Sequence, residues 1–444
     1  MSITPRAALL AAALIAVGAC SSDPTTISPP NGEYVILPRS LWPGGTVRVT
    51  SGDFARYGDD ATLELGGTTV PLERVDDQTL QATIPADFSG RAVPMLRFDS
   101  YSYPLDEITV AGYAGSRDLP EEGHIAWDAY VTTIGGVPHV IGGNLTGDLA
   151  RVNLRTGIVS VSVDALEYNS LRGPGMTPTA GQWLLNGGNG IELWRIDGAP
   201  QKIDDSFHGT LPTGFTRQIA QLTANSYLQT TNRSWSIATR PDANSAFVET
   251  ASGEGFDESE GLHLSTLADR AVARVNWARN GVPVFEMSTG TVAYVTDLHS
   301  VQGVDFSADG ARIALAGGKG DGVPGTSANG LPTVELIRAS DGRVLASLAL
   351  PFSPFAVAFD PAGRWVVVGV SIPVGAGFRP GIMVLDPNDL SPLAQLPAPE
   401  AAPVCAASNS DCFGGVIAVD GDSVRAFNSF NGPAHSWWFG LLGN

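Results

Sequence analysis

Two series of tight turns run through the last three quarters of the chain, and their even spacing constrains the fold more than any other feature. The clearest turns sit in VDFSADGARIALAGG (304–318) and VAFDPAGRWVVVGVS (357–371), each an apolar strand, a glycine turn and a second apolar strand. Behind each comes another hairpin, VELIRASDGRVLASL (334–348) and IMVLDPNDLSPLAQL (382–396). Turns of the first kind recur at Gly136, Gly181, Asn225, Asp269, Gly310, Gly363 and near Gly414, at intervals of 41 to 53 residues. Turns of the second kind end at Gly157, Gly198, Ala243, Gly290, Gly342, Asp389 and Gly432, at intervals of 41 to 52. Generic hairpins would not keep step over six intervals. With 52 Gly and 31 Pro spread along 444 residues, almost no stretch is free of helix breakers, so the fold is expected to be all-β.

Two interleaved series of seven turns predict seven four-stranded blades over 123–444, closed into a ring that hides most strand edges. The order of hairpins and their turn chemistry resemble the blades of YVTN and WD-repeat β-propellers. SWWFGLL (436–442) is placed as the last outer strand, with its aromatics in packing roles.

Ahead of the ring, residues 34–112 carry short alternating strands at 47–51, 61–67, 68–75, 79–85 and 92–98, separated by Gly, Asp and Pro turns, which suggests a small β-sandwich. Pro43-Gly44-Gly45, Ser51-Gly52-Asp53-Phe54, Leu65-Gly66-Gly67 and Thr83-Ile84-Pro85-Ala86 resemble the IPT/TIG group of immunoglobulin-like domains. That resemblance implies a spacer or contact module and no chemistry. Residues 113–122 read as a linker.

The first 19 residues form a leader: Arg6 supplies a positive charge, and the apolar run Ala7 to Val17 is too short to cross ~30 Å of hydrocarbon. It closes on Val17-Gly18-Ala19-Cys20, which resembles the bacterial lipoprotein processing site, so Cys20 is the expected lipidated residue. Residues 20–33, rich in proline, then serve as a tether. Ser21, rather than an Asp, resembles lipoproteins sent to the outer membrane. Formal charge is −19, which argues against nucleic acid or an anionic membrane surface as partner. Exported chains tolerate disulfides, and Cys405 and Cys412 are the candidate pair.

Within such a blade the chain runs from axis to rim. The first-to-second and third-to-fourth turns share one face; the remaining connections share the other. The tight turns fall on the first face and the long segments on the second: 204–214, 249–261, 317–332, 371–381 and 397–415. Long connections on a rigid scaffold carry function. The second face is therefore the predicted binding face, with Phe207, His208, Phe256, Asp257, Glu258, His299, Asp321, Phe378, Asp420 and Asp422 as its candidate residues. Its acidity admits Ca²⁺ as an alternative, although no segment has D-x-D-x-D-G spacing. No cofactor is otherwise expected.

Catalytic motifs are lacking: there is no G-x-S-x-G elbow, no HExxH, and GGKGDG (317–322) lacks phosphate-loop spacing. The leading expectation is a non-enzymatic module contacting a protein or glycan of the cell envelope and held to the membrane through Cys20. The alternative is a propeller enzyme, a metal-assisted hydrolase or lactonase-like activity, using a rim of His124, His208, His263 and His299 with nearby acids.

Overall fold

The computed structural model describes residues 32–440 apart from 53, 58–59, 86, 99–100, 121–124, 145–148, 164–174, 180, 188–189, 197–200, 208–217, 232, 279, 320–329, 376, 398–404, 407–414, 422 and 429–434. Cys20, Cys412 and the tether up to 31 lie outside the described residues. Two compact units emerge, one comprising 45–85, 92–108 and the chain before 40, the other 40–44, 86–91 and everything from 109 onward.

The first unit is built of short antiparallel strands whose pairing follows the alternation in sequence. Thr46–Thr50 alternates exposed and buried residues and pairs with Val35–Leu37 and Thr79–Thr83. Thr62–Leu65 pairs with Thr68–Pro71 and Met95–Phe98. Ile36, Val47, Val49, Leu63, Leu65 and Leu80 fill the interior, and Tyr34, Phe54, Phe98 and Tyr103 pack as a cluster with ring centroids 5.1 to 6.3 Å apart.

From Ile125 to Pro397 the described strands of the second unit pair in successive antiparallel groups of four, each in chain order. Groups one to six span 125–163, 175–207, 218–254, 256–295, 298–349 and 353–397. Inner strands are buried on both faces and read as continuous apolar runs. Arg312–Lys319 has six consecutive buried residues between its ends, whereas the outermost strand Val344–Ala349 has none. Apolar clusters fill each junction between consecutive groups, and one joins Val140, Ala150 and Val152 of group one to Val416, Ala418 and Phe427 of the last group. The unit is a β-propeller.

The closing group differs from the sequence expectation. Val416–Asp420, Ser423–Asn428 and His435–Gly440 supply three strands, and the fourth, outermost, is Gly112–Asp118 from the start of the unit. Most of this strand lies within the expected linker. His435–Gly440 is thus the third strand, covered by the fourth, and Phe439 packs edge-on against Tyr113 with centroids 5.7 Å apart. Both turn series therefore miss their last position. The first turn of this group is at Gly421, not near Gly414, and 430–432 falls between its second and third strands. Chain order alone hides a strand borrowed from the start of the unit.

Gly310 shows why glycine holds these turns. Its φ is +69°, and a Cβ there would meet the backbone of Leu267 and Ala268 at 2.8 Å, because the turn of group five lies on the turn of group four. Asp269 takes the corresponding position at φ +52°, a conformation that aspartate tolerates.

Candidate interaction surfaces

The tight-turn face is held together by arginines at one recurring place, the start of a group's second strand. Arg270 donates from Nε to Ala339 O (2.9 Å) and from Nη2 to Ser340 O (3.0 Å), reaching from group four to group five. Arg312 donates to Pro387 O of group six at 2.5 Å, and Arg364 to Gly421 O of the last group at 3.1 Å. Arg364 also binds Asp360, which is 2% exposed, and lies 4.1 Å over the Trp365 ring. Charge-assisted bonds to carbonyls tie each turn to its neighbour. The signal was present in the sequence as arginine just after Asp269, Gly310 and Gly363.

Asp420 belongs to this face, not to the predicted one. It ends the first strand of the last group and takes a bidentate pair from Arg155, in the third-to-fourth turn of group one. Placing the turn near Gly414 puts Asp420 on the wrong side; Asp422 lies outside the described residues.

The predicted face is also reshaped. Segment 249–261 is not a loop: Val248–Glu254 and Phe256–Ser265 are strands of successive groups separated only by Gly255. Phe256, Asp257 and Glu258 thus belong to an inner strand, with Phe256 paired to Ala278 and Asp257 to Trp277. Segment 371–381 is likewise a hairpin, Val366–Val374 with Gly377–Leu385, and half-buried Phe378 is opposite Pro373. Pairing with neighbouring strands carries these segments on where glycine suggested a break. Phe207 ends Gln201–Phe207, and His208 and Asp321 lie outside the described residues. Cys405 pairs with Phe378 in the ladder.

The long-connection side of group five does bring charged groups together. Lys319 Nζ is 2.7 Å from Glu335 Oε1 and 3.9 Å from Asp297 Oδ2, and half-buried His299 is in the adjoining strand. The Glu335 side chain is fully buried; Ser347 Oγ donates to Oε1 at 3.3 Å, and Oε2 has no partner. The carboxylate beside Lys319 raises the pKa of its ammonium.

The imidazoles do not gather at the rim among the described residues. His263 is on the inner strand of group four, its ring 5.8 Å from that of Tyr130 and its Nε2 buried without a partner. Burial, aided by Arg274, lowers its pKa to about 3, so it stays neutral. Tyr130 links groups that are not neighbours: its hydroxyl donates to Gln218 Oε1 of group three (2.9 Å) and accepts from the Leu262 N–H of group four (3.3 Å). His124 lies outside the described residues, and no trio of His, Cys, Asp or Glu among the described residues is placed to hold a metal.

A cleft of about 550 Å³ opens on the tight-turn face where the turns of groups four and five meet. Leu267, Ala311 and Leu345 form apolar walls, and Arg312 and Arg338 line it with Asp309.

No family model and no curated protein matches the chain. Among solved structures, a chain of the mitotic checkpoint complex is 12% identical, with a TM-score of 0.50 over 75% of this chain and 95% of that one. The Cps50 (Swd1) β-propeller domain of Myceliophteria thermophila is 9% identical (TM-score 0.46, 73% and 99% covered). The Pan2 WD40 domain of Neurospora crassa is 13% identical (TM-score 0.46, 74% and 95% covered). At such identity the likeness is one of fold alone.

Proposed function

We propose that this chain is an exported, lipid-anchored binding scaffold without catalytic activity. In this reading Cys20 carries the lipid, residues 20–33 are the tether, 34–112 form an IPT/TIG-like spacer, and the seven strand groups are the blades of one ring. The partner is a protein or glycan of the cell envelope, with the outer membrane as the site of anchoring. The observation that carries this reading is the asymmetry of the two faces. Arginines occupy the tight-turn face with bonds to the protein's own carbonyls. The connections 208–217, 320–329 and 398–414, by contrast, all leave from the opposite side. The alternative of an enzyme built on rim histidines finds less support, since His263 is packed against Tyr130.

Two experiments test the reading. Cys20→Ser should move the protein from the membrane fraction to the soluble exported fraction; a variant that stays in the membrane overturns the anchor. Replacing 320–329 and 208–217 by short turns should abolish crosslinking to the envelope partner in cells while the circular dichroism spectrum is kept. Undiminished crosslinking overturns the choice of face.

A further inference from the structure

The last strand group lacks a turn that other groups have. In groups one, four, five and six the third strand leads into the fourth through one tight reversal closed by a backbone bond. The Gly157, Gly290, Gly342 and Leu390 N–H groups donate to Asn153 O, Glu286 O, Arg338 O and Asp386 O at 2.7 to 3.0 Å. In the last group His435–Gly440 and Gly112–Asp118 come from distant parts of the sequence, so Gly440 pairs with Gly112 with no turn to join them.

The arginines of this face register the gap. Arg270 and Arg312 each bond carbonyls in the third-to-fourth turn of the next group, Ala339 and Ser340 for the one and Pro387 for the other. Arg364 has no such turn ahead of it. It bonds Gly421 O in the first turn of the last group and lies over the ring of Trp365. Trp365 occupies the place that Arg312 has in group five. Each directly precedes the residue paired with the end of the first strand, Ile313 with Phe306 and Val366 with Phe359. An indole thus stands in for a guanidinium at the junction that leads to the turnless group.

Trp42 is what that indole meets. The two rings pack edge-on, with centroids 6.0 Å apart and planes at 75°. Half-buried Trp42 covers the apolar cluster that joins Trp365 and Ile382 of group six to Val424 and Phe439 of the last group. Ser40–Leu41, just before it, pairs in parallel with Thr109 and Val110, and the Ala111 N–H donates to Leu41 O at 3.0 Å. Gly112 follows at once, and a Cβ there would meet Ser89 Cβ at 2.3 Å. The start of the closing strand is therefore held by two segments from earlier in the chain.

We propose that Trp42 is a noncovalent latch that does the work of the missing turn. It holds the start of Gly112–Asp118 on the ring, and without it the closing strand opens and recloses as a unit. The ladder to His435–Gly440 still forms when the latch is lost; what changes is how often that ladder opens. A covalent turn keeps two strand ends together whatever surrounds them, whereas a packed ring does so only while it stays seated. This device does not rest on the function proposed above.

The test is amide hydrogen exchange of the full chain, followed by mass spectrometry. Trp42→Ala should speed exchange in 112–118 and 435–440 about tenfold, the loss of one aromatic contact with its buried area. Exchange in 312–319 of group five should stay as in the parent. Trp42→Phe keeps an aromatic edge against Trp365 and should hold 112–118 near the parent's protection. The latch is overturned if Trp42→Ala leaves 112–118 as protected as in the parent. It is also overturned if exchange rises equally in 312–319, which would mean a general loss of stability, or if Trp42→Phe opens the strand as far as Trp42→Ala does.

Discussion

Arg155 and Asp420, 265 residues apart in sequence, form a bidentate ion pair, with Nε 2.7 Å from Oδ2 and Nη2 2.5 Å from Oδ1. One residue is in the first strand group and the other in the last. Where the seams from group four to the last group rely on arginine-to-carbonyl bonds, the closing seam has a carboxylate to hold. Arg155→Met and Asp420→Asn should each lower the melting temperature. The double variant should lose less than the sum of the two, since either change alone already breaks the pair. Strict additivity in a thermal double-mutant cycle would show the pair to be uncoupled.

The closing strand sets where the ring can be cut. A fragment of 109–444 retains Gly112–Asp118 and should give a cooperative thermal transition. A fragment of 123–444, the boundary suggested by sequence, leaves His435–Gly440 as a bare edge and should aggregate. Equal solubility of the two fragments in size-exclusion chromatography would contradict the borrowed strand.

Lys319 is the ammonium partner of a fully buried Glu335. Lys319→Met strands that carboxylate and should cost about 3 kcal/mol in urea denaturation. Adding Glu335→Leu should restore most of the loss, because an apolar pair needs no compensation. A double variant as unstable as Lys319→Met alone would mean that the pair does not set the cost.

Asp305 is half-buried at the junction of groups five and six, where its carboxylate accepts from the Phe359 N–H (2.7 Å) and the Phe306 N–H (2.8 Å). Burial outweighs these bonds and pushes its pKa from an ordinary 3.8 up to about 6. The folded state therefore holds the proton more tightly than the unfolded one. The associated stability is present at low pH and is lost as pH rises through about 6. Relative to Asp305→Asn, the parent should lose about 3 kcal/mol between pH 4 and pH 7. A flat difference curve in that window would refute the assignment.

His263 works in the opposite direction. Its pKa falls to about 3, so its contribution is complete above the ordinary value of 6.5 and disappears as pH falls below it. Measured against His263→Phe, the parent should lose about 3 kcal/mol between pH 6.5 and pH 4. An exchange-broadened or charged imidazole signal at pH 6 in NMR would also exclude a neutral buried ring.

Much of this architecture is legible in the residues themselves. Six turns of each series fall where the strands reverse, because a tight reversal needs a local signature such as Gly310 or Asp341-Gly342, and local signatures are readable in order. The inner strands are legible for the same reason, since burial on both faces leaves an unbroken apolar run such as IALAGG. What was not legible depends on residues distant in sequence. The turn at Gly421 is not legible because Gly414 and Gly415 offer a nearer break. Segments 249–261 and 371–381 read as loops because glycine in a strand looks like a break until a neighbouring strand pairs across it.

The sequence alone determined that this chain would be a β-protein of repeated hairpins behind a short-stranded first unit, because turn chemistry and hydrophobic period act over a few residues. Only the tertiary structure decided which strand closes the ring, which carboxylate Arg155 finds, and that Tyr130 joins three groups through one hydroxyl. Each of these pairs residues from distant parts of the chain. Their free energy is gained when the chain closes on itself, and no local pattern records it.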